Sequence, residues 1–568
     1  MEFGRVWIYD IEVFPNLISI TAKNKMTGKI VQLDLWEDDD GNNLYHIPKQ
    51  RELQKIYTFF TSGCKTFVGY NNFKYDDVII AFLLSLIEDN EIINCQILKE
   101  ESDRIIRGQR LPFDHPDKVL IWELPYIKSF PNNNLDCLEI LRKGYITSGS
   151  LKMVGIKLQH DKVQETFYDF NSNLYTTEEI ENTLHYNLND VEITDKLLNA
   201  IWEQVELRED LVKNYEIPQL LSAGDSKIAK TLFRNWYCKR TGEKYQNIKD
   251  KKKEYQENLP DEIQVSDIIF DDIEFHTTEF KNVFNKLKNI KIIWNHESKK
   301  YEFEEKEIVW KMNNCVYSFG LGGIHSVDIN TPGIFFPNDD EYLLDADVSS
   351  QYPSVIRNRN ICPSFLDTNH FIQMFSSLID ERLEAKYIAK KCKKQGDKTS
   401  LIFKKAKRKA DSLKIAINTG YGTFNDPTWI FYDPYASYRV TLNCQLYLLM
   451  LIENLEMNDI KIISANTDGI IIRCKKNKFN IFQEIKEKWE HKLNFQLEET
   501  YYRKYVRKDV NDYIAQEING DIKGNGRDFR TELDLTKGYS YPVIRQALNA
   551  YYIEGIDIMD FLKQKNNP

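Results

Sequence analysis

Residues 6 to 14 read VWIYDIEVF, seven apolar or aromatic side chains around two acids, Asp10 and Glu12. Such a composition predicts a strand over Val6 to Val13. Positions i and i+2 of a strand face the same way, so both carboxylates address one point while Ile11 turns into the sheet. Two unit charges about 4 Å apart repel by roughly 4 kcal/mol at an effective dielectric of 20. A hard divalent cation, which takes oxygen ligands, removes that repulsion. An exposed strand face accounts for one such pair standing alone, so the reading depends on what the rest of the chain adds.

Working outward, YNNFKYDD places Asn72 and Asp76 at the start of an apolar helix predicted over Asp76 to Ile87, just after a strand from Thr66 to Tyr70. Further on, LHYNLNDVEI puts Tyr186 and Asp190 four apart on one face of a helix predicted over Thr177 to Gln204. Asp10, Glu12, Asp76 and Asp190 then form a set of four acidic ligands for two metal ions, with Tyr186 orienting the water that attacks a phosphodiester. This trio of segments resembles the exonuclease motifs of the DEDDy proofreading domains attached to family B DNA polymerases. Under that resemblance Asn72 is a DNA contact, and Lys152 in SGSLKMVGI corresponds to an exonuclease lysine.

The carboxyl half carries the matching segments. LLDADVSSQYPSVI resembles family B motif A, DxxSLYP, with Gln351 where Leu is usual. The resemblance makes Asp347 and the Val348 carbonyl metal ligands. It makes the Ser349, Ser350 and Gln351 turn a triphosphate cradle, and Tyr352 the ring that packs under the sugar and rejects a 2′-OH. KIAINTGYG resembles motif B, with Lys414, Asn418 and Tyr421 on one helical face and Arg408 and Lys407 as further triphosphate contacts. KIISANTDGIIIR reads as a tight hairpin resembling motif C, DTD, but with Asn466 in place of the first acid. The second acid, Asp468, is kept and is implied to share the metals with Asp347, so Asn466→Asp is expected to be tolerated and Asp468→Asn to abolish extension. Weaker matches name Gly322 and Gly323 in YSFGLGGIHSV, Thr467, Tyr513 with Asn511 where a lysine is expected, and Lys523 as DNA contacts. Arg507 or Lys508 is the expected source of the missing charge.

Composition describes a large chain with material for several cores and a soluble surface. The 568 residues are 42% hydrophobic and 29% charged, enough for several cores, and exclude global disorder. The longest apolar run, Val78 to Ile87 with Ser85 inside it, is shorter than the roughly 20 residues a membrane helix needs. No secretion signal is read at the start, so a cytoplasmic location is expected, the host's if the chain is phage-encoded. Nine scattered cysteines without a CxxC pair fit reduced thiols. A net charge of -10 counts against nucleic-acid binding only on the global scale, because residues 381 to 410 carry twelve Lys and Arg against three Asp and Glu.

The fold expected from the resemblance is a multidomain α/β protein, with an RNase H-like exonuclease domain and a right-hand polymerase of palm, fingers and small thumb. The expected boundaries are 1–205 for the exonuclease and 206–315 for a helical linker and a strand-rich segment of no assigned role. Then come 316–375 and 425–515 for the palm, 376–424 for the fingers and 516–568 for the thumb. Residues 240 to 262 lack an apolar period and read as the linker. Implied cofactors are two Mg2+ or Mn2+ ions per site, and implied partners are primer-template DNA, dNTPs and a helicase or processivity factor. The short spacing from Asp347 to Lys414 and from Tyr421 to Thr467 argues against the terminal protein of protein-primed phage enzymes. Two other readings stay open: a single-strand 3′-to-5′ exonuclease with a degenerate carboxyl half, and a non-catalytic DNA-binding replication subunit.

Overall fold

A computed structural model describes residues 3–38, 49–130, 134–142, 149–305, 308–312, 315–327, 333–397, 399–531, 535 and 542–566. It divides into two compact α/β units, Met1–Asp225 with Asp534–Lys537, and Ser226–Leu533 with Gly538–Pro568. The first boundary therefore falls at 225 rather than at the expected 205.

In the first unit, β1 (Val6–Phe14), β2 (Leu17–Asn24) and β3 (Ile30–Trp36) form an antiparallel meander. Strands β4 (Thr66–Gly69) and β5 (Asn134–Asp136) extend it in parallel, in the order β3-β2-β1-β4-β5. The helices are α1 (Lys49–Thr61), α2 (Asp76–Glu88), α3 (Cys95–Arg110), α4 (Cys137–Leu141), α5 (Leu151–Lys157), α6 (Thr177–Ala200) and α7 (Trp202–Tyr215). One face of β1 sends Tyr9, Ile11 and Val13 into a core shared with Phe67 and with Val78, Ile79 and Leu83 of α2. The other sends Val6 and Ile8 against Val68, Leu135 and the α6 residues Val191 and Leu197. Burial on both faces explains why this strand is apolar nearly throughout. Asp10 and Glu12 continue the Val6 and Ile8 face, which turns acidic toward the end of the strand where α6 still covers it. Helix α6 opens with a capping box between Thr176 and Glu179. The expected continuous helix to Gln204 is interrupted at Ile201, whose backbone leaves the helical region before α7 begins.

The second unit opens with α8 (Asp225–Thr241) and α9 (Tyr245–Glu257). The stretch read as a linker is thus helical. Only Ile248 is buried, and the helix is held instead by Lys252 on the Pro427 carbonyl and by Tyr255 donating to Asp433 at 2.8 Å, contacts that leave no apolar period to read. Strands β6 (Glu262–Gln264), β7 (Lys291–Asn295) and β8 (Lys300–Phe303) make a small antiparallel sheet with α10 (Thr278–Lys288) between β6 and β7, so the segment expected to be strand-rich holds a helix as well.

A ten-stranded antiparallel sheet dominates this unit: β9 (Ile308–Met312), β10 (Cys315–Phe319), β11 (Ile324–Val327), β12 (Gly333–Phe335), β13 (Glu341–Val348), β14 (Lys461–Asn466), β15 (Gly469–Lys475), β16 (Leu497–Asp509), β17 (Asp512–Glu517) and β18 (Ile522–Asn525). The order is β18-β17-β16-β13-β15-β14-β11-β10-β9, with β12 beside β16. The sheet takes in residues on both sides of the expected palm limits, since β9 lies before 316 and β18 after 515. Helices α11 (Gln351–Asn358), α12 (Thr368–Lys394), α13 (Leu401–Gly422), α14 (Pro434–Met457) and α15 (Phe479–Leu493) connect the strands, and α16 (Pro542–Asn549) and α17 (Ile558–Asn566) follow. α12 and α13 pack along each other and carry the basic run, while α14 is buried nearly all round, as its apolar sequence demands. All nine cysteines are free. No helix among the described residues is long and apolar enough to cross a membrane.

Candidate active sites

In the first unit, β1 and α6 bring Asp10, Glu12 and Asp190 together with one carboxylate oxygen from each within 4.8 Å of the others. Asp76 stands beside them at the start of α2, its carboxylate accepting the Ile11 N–H at 3.2 Å. Lys152 on α5 donates to both Asp190 oxygens at 2.7 Å and to the Tyr186 hydroxyl at 2.7 Å, with its ammonium 4.1 Å from that ring's centre. Asn187 donates to Asp10 at 2.8 Å. All four acids named from the sequence therefore lie together, and Lys152, named there only as an exonuclease lysine with no partner assigned, bonds Asp190 and Tyr186.

The electrostatics follow from several buried carboxyls set against the Lys152 ammonium. Burial, then repulsion from Asp76 and Glu12, raises Asp10 well above the usual carboxylate range, and burial with Asp190 and Asp76 does the same to Glu12. Asp76 is pushed up to about 8 by burial and by Asp77. Burial raises Asp190 too, against the opposing pull of Lys152. Such a group holds either protons or a cation, and an all-oxygen donor set suits Mg2+ or Mn2+.

Asn72 does not do what the resemblance implied. It is fully buried and donates to Asp77 at 3.0 Å, so it has no surface to offer DNA. Asp77 also accepts from the Tyr9 hydroxyl and from Asn134, a network that locks the start of α2 and with it Asp76. An open cleft of about 790 Å³ beside Glu12 carries Lys74, Lys99 and Arg110 together with Tyr75 and Phe170. Asn187 went unread in the sequence, although it lies three residues before Asp190 on the same helical face, which was the available signal.

In the second unit, the register pairs Asp347 of β13 with Gly469 of β15, and Asp468 occupies the turn before Gly469. The Val348 N–H donates to the Asp468 carbonyl at 2.7 Å, and the Thr467 N–H to Ile324 at 2.7 Å, with Thr467 held at φ +53°. A Cβ on Gly469 would sit 2.9 Å from an Asp347 carboxylate oxygen, so a larger residue there would displace that carboxylate. Burial, with Asp468 and Asp345 adding, pushes Asp347 up to about 7, and burial raises Asp468. A pocket of about 120 Å³ opens over these acids, lined also by Asn466, Tyr513 and Lys523.

Asp345 was missed, though Asp345-Ala346-Asp347 repeats the i, i+2 pattern of Asp10 and Glu12. It accepts from Tyr502 at 2.8 Å and pairs with Lys523 at 3.4 Å. Lys523 is accordingly the cation at this site. Lys508 is bound to Asp528 at 2.8 Å, and Arg507 is buried with its guanidinium 5.5 Å from the Phe335 ring, so neither supplies the charge expected near Asn511. Tyr513 packs on Tyr505 at 5.4 Å.

The Tyr352 ring packs on Tyr421, tilted by 33° with ring centres 4.6 Å apart, and its hydroxyl donates to the Gly322 carbonyl at 2.7 Å. Gly323 leaves room for Thr467, whose hydroxyl would lie 2.8 Å from an added Cβ. Close approach therefore accounts for Gly323, while at Gly322 an added Cβ would meet nothing within 4 Å. Lys414 and Asn418 are exposed on one face of α13, and Arg408 is half-buried higher on the same helix. The expected cradle is only partly there. The Ser349 N–H is spent on Gln496 at 2.8 Å, and Gln351 is buried with its amide on the Cys444 carbonyl at 3.3 Å. Ser350, at φ +55°, accepts instead from Arg382 of α12, an arginine hidden in the sequence among a dozen similar charges.

No protein-family model matches the chain, and no curated protein does. Among solved structures it is similar to the family B DNA polymerase from the hyperthermophilic archaeon Pyrobaculum calidifontis, at 13% identity and a TM-score of 0.46. The likeness covers 92% of this chain and 60% of that one, so the chain spans about three fifths of that polymerase's length.

Proposed function

We propose that the chain is a DNA-directed DNA polymerase of the family B, phage-like type, with a DEDDy 3′-to-5′ proofreading exonuclease in its first unit. The observation that carries the reading is the pairing of Asp347 with the Asp468 turn beside a cationic pair of helices, repeated in kind by the separate four-acid cluster around Asp10. In this reading α12 and α13 are the fingers, the ten-stranded sheet is the palm, and α16 and α17 belong to a small thumb. Substrates are primer-template DNA and dNTPs.

Asp347, Asp468 and the Val348 carbonyl would hold divalent metal ions, as would Asp10, Glu12, Asp76 and Asp190. Bound there, such ions neutralise charge on the transferred phosphoryl group and acidify the attacking hydroxyl or water. The chain's own residues do the rest. Tyr352, held by Tyr421 and Gly322, is the floor under the incoming sugar. Lys414 and Arg382 bind the triphosphate, Arg382 being aimed by Ser350. In the first unit, Tyr186, fixed by Lys152, orients the attacking water, and Asn187 holds Asp10 in register. The cationic cleft beside Glu12 receives the unpaired 3′ end.

The test is a 5′-labelled primer on a longer template in Mg2+, resolved by length. Lengthening with dNTPs and shortening without them is expected. Shortening in both lanes overturns the polymerase assignment in favour of a single-strand exonuclease, and no change in either lane leaves only a DNA-binding role.

A further inference from the structure

The Asn466 side chain makes an unusual connection. β14, which ends at Asn466, and β16, which ends just before Val510, are not neighbours in the sheet, because β15 and β13 lie between them. Yet the Asn466 amide nitrogen donates to the Val510 carbonyl at 3.1 Å and to the Asn511 side-chain oxygen at 3.1 Å. The Val510 carbonyl can only accept, which sets the rotation of the amide and points its oxygen away from Val510. That oxygen accepts from the Thr467 hydroxyl at 3.2 Å. The side chain therefore straps the hairpin that carries Asp468 to the turn that precedes Tyr513, across the mouth of the pocket over Asp347 and Asp468.

We infer that Asn466 is a positioning residue that acts as a hydrogen-bond donor to the Val510 and Asn511 turn, and that it does not ligate metal. The inference rests on the polymerase reading above. It explains why an amide occupies this position, since an Asp there would set an unprotonated oxygen against the Val510 carbonyl, which can only accept, and would oblige Asn511 to turn its amide over, so that the identities of residues 466 and 511 are interdependent. A cation at 511 would suit an acid at 466, whereas the amide at 511 suits the amide at 466. The expectation that Asn466→Asp is neutral is thereby replaced by its opposite.

Three proteins are compared: the wild type, Asn466→Asp, and Asn466→Asp with Asn511→Lys. Asn466→Asp is expected to slow single-nucleotide incorporation at saturating dNTP by about tenfold to a hundredfold. Its half-saturating Mg2+ should stay within about twofold of wild type, and its unfolding midpoint should fall. The double variant should recover both rate and midpoint to within about threefold and a degree or two, as coupled neighbours do. Shortening of single-stranded DNA by the first unit reports that every variant is folded. An Asn466→Asp protein that extends as fast as wild type with a lower Mg2+ requirement would make position 466 a metal position and overturn the inference. A slow Asn466→Asp that Asn511→Lys leaves slow and destabilised would overturn the coupling. A wild type that shortens but never lengthens its primer removes the reading beneath both.

Discussion

Lys152 and Gly469 show how much rests on single atoms. Lys152 donates to the Asp190 carboxylate and to Tyr186, so Lys152→Met should lower single-strand shortening by about tenfold to a hundredfold and leave extension unchanged. Rates of both reactions on one preparation check this, and an equal fall in the two would point to misfolding. At Gly469 an added methyl meets an Asp347 oxygen, so Gly469→Ala should cut extension by about tenfold or more while shortening persists. A variant that extends normally would mean that the Asp347 carboxylate can shift without consequence. The sequence shows Asp10 with Glu12 at i, i+2 and Tyr186 with Asp190 at i, i+4 as spacing, although the same i, i+2 pattern at Asp345 and Asp347 went unread. It hides residues whose role lies in a partner far along the chain: Asn72 facing Asp77, Asn466 facing Val510, and Lys523 facing Asp345.

Elements were legible where burial imposes a period. Strand β1 and helix α2 are buried on most sides and could be read directly, as could α13 from its Lys414, Asn418 and Tyr421 face. Helix α9 could not, because it is held by polar contacts to Pro427 and Asp433, which leave no apolar stripe. The basic run of α12 and α13 was legible as charge but not as geometry, and only the fold singles out Arg382 from its neighbours by placing it on Ser350. Arg382→Ala should raise the KM for dNTP by about tenfold, with a smaller effect on kcat and none on primer binding. Steady-state kinetics together with primer-template binding check this. A loss of primer affinity instead would assign α12 to the duplex.

At the scale of the whole molecule, the buried acids of the first unit set a pH dependence. Burial pushes Asp34 and Asp77 up to about 6, Asp136 to about 7 and Asp76 to about 8. The folded chain therefore keeps protons that the unfolded chain, with its ordinary carboxylates, has already released near pH 4. The stability these groups contribute is fully present below about pH 4 and is lost as pH rises through about 6 to 8. In EDTA the unfolding midpoint should fall between pH 5 and pH 8, and millimolar Mg2+ should recover part of the loss at the upper end, where a cation replaces the protons around Asp10 and Glu12. A midpoint that rises over that window, or one indifferent to Mg2+ at pH 8, contradicts the electrostatic account. The break between the two compact units falls at Asp225, a place that no periodicity marks. Residues 206 to 225 lie within the first unit, and the arginine that helps hold them, Arg208, is fully buried against the Ala223 carbonyl and Asp225, partners that no periodicity announces.

The central claim is that one chain holds two independent acid sites with opposite effects on a primer. The most direct measurement runs Asp468→Asn and Asp10→Asn beside the wild type on a labelled primer-template, with and without dNTPs. The account predicts that Asp468→Asn shortens the primer but never lengthens it, and that Asp10→Asn lengthens it but no longer shortens it. Loss of both activities in either variant, or lengthening that survives Asp468→Asn, would contradict it.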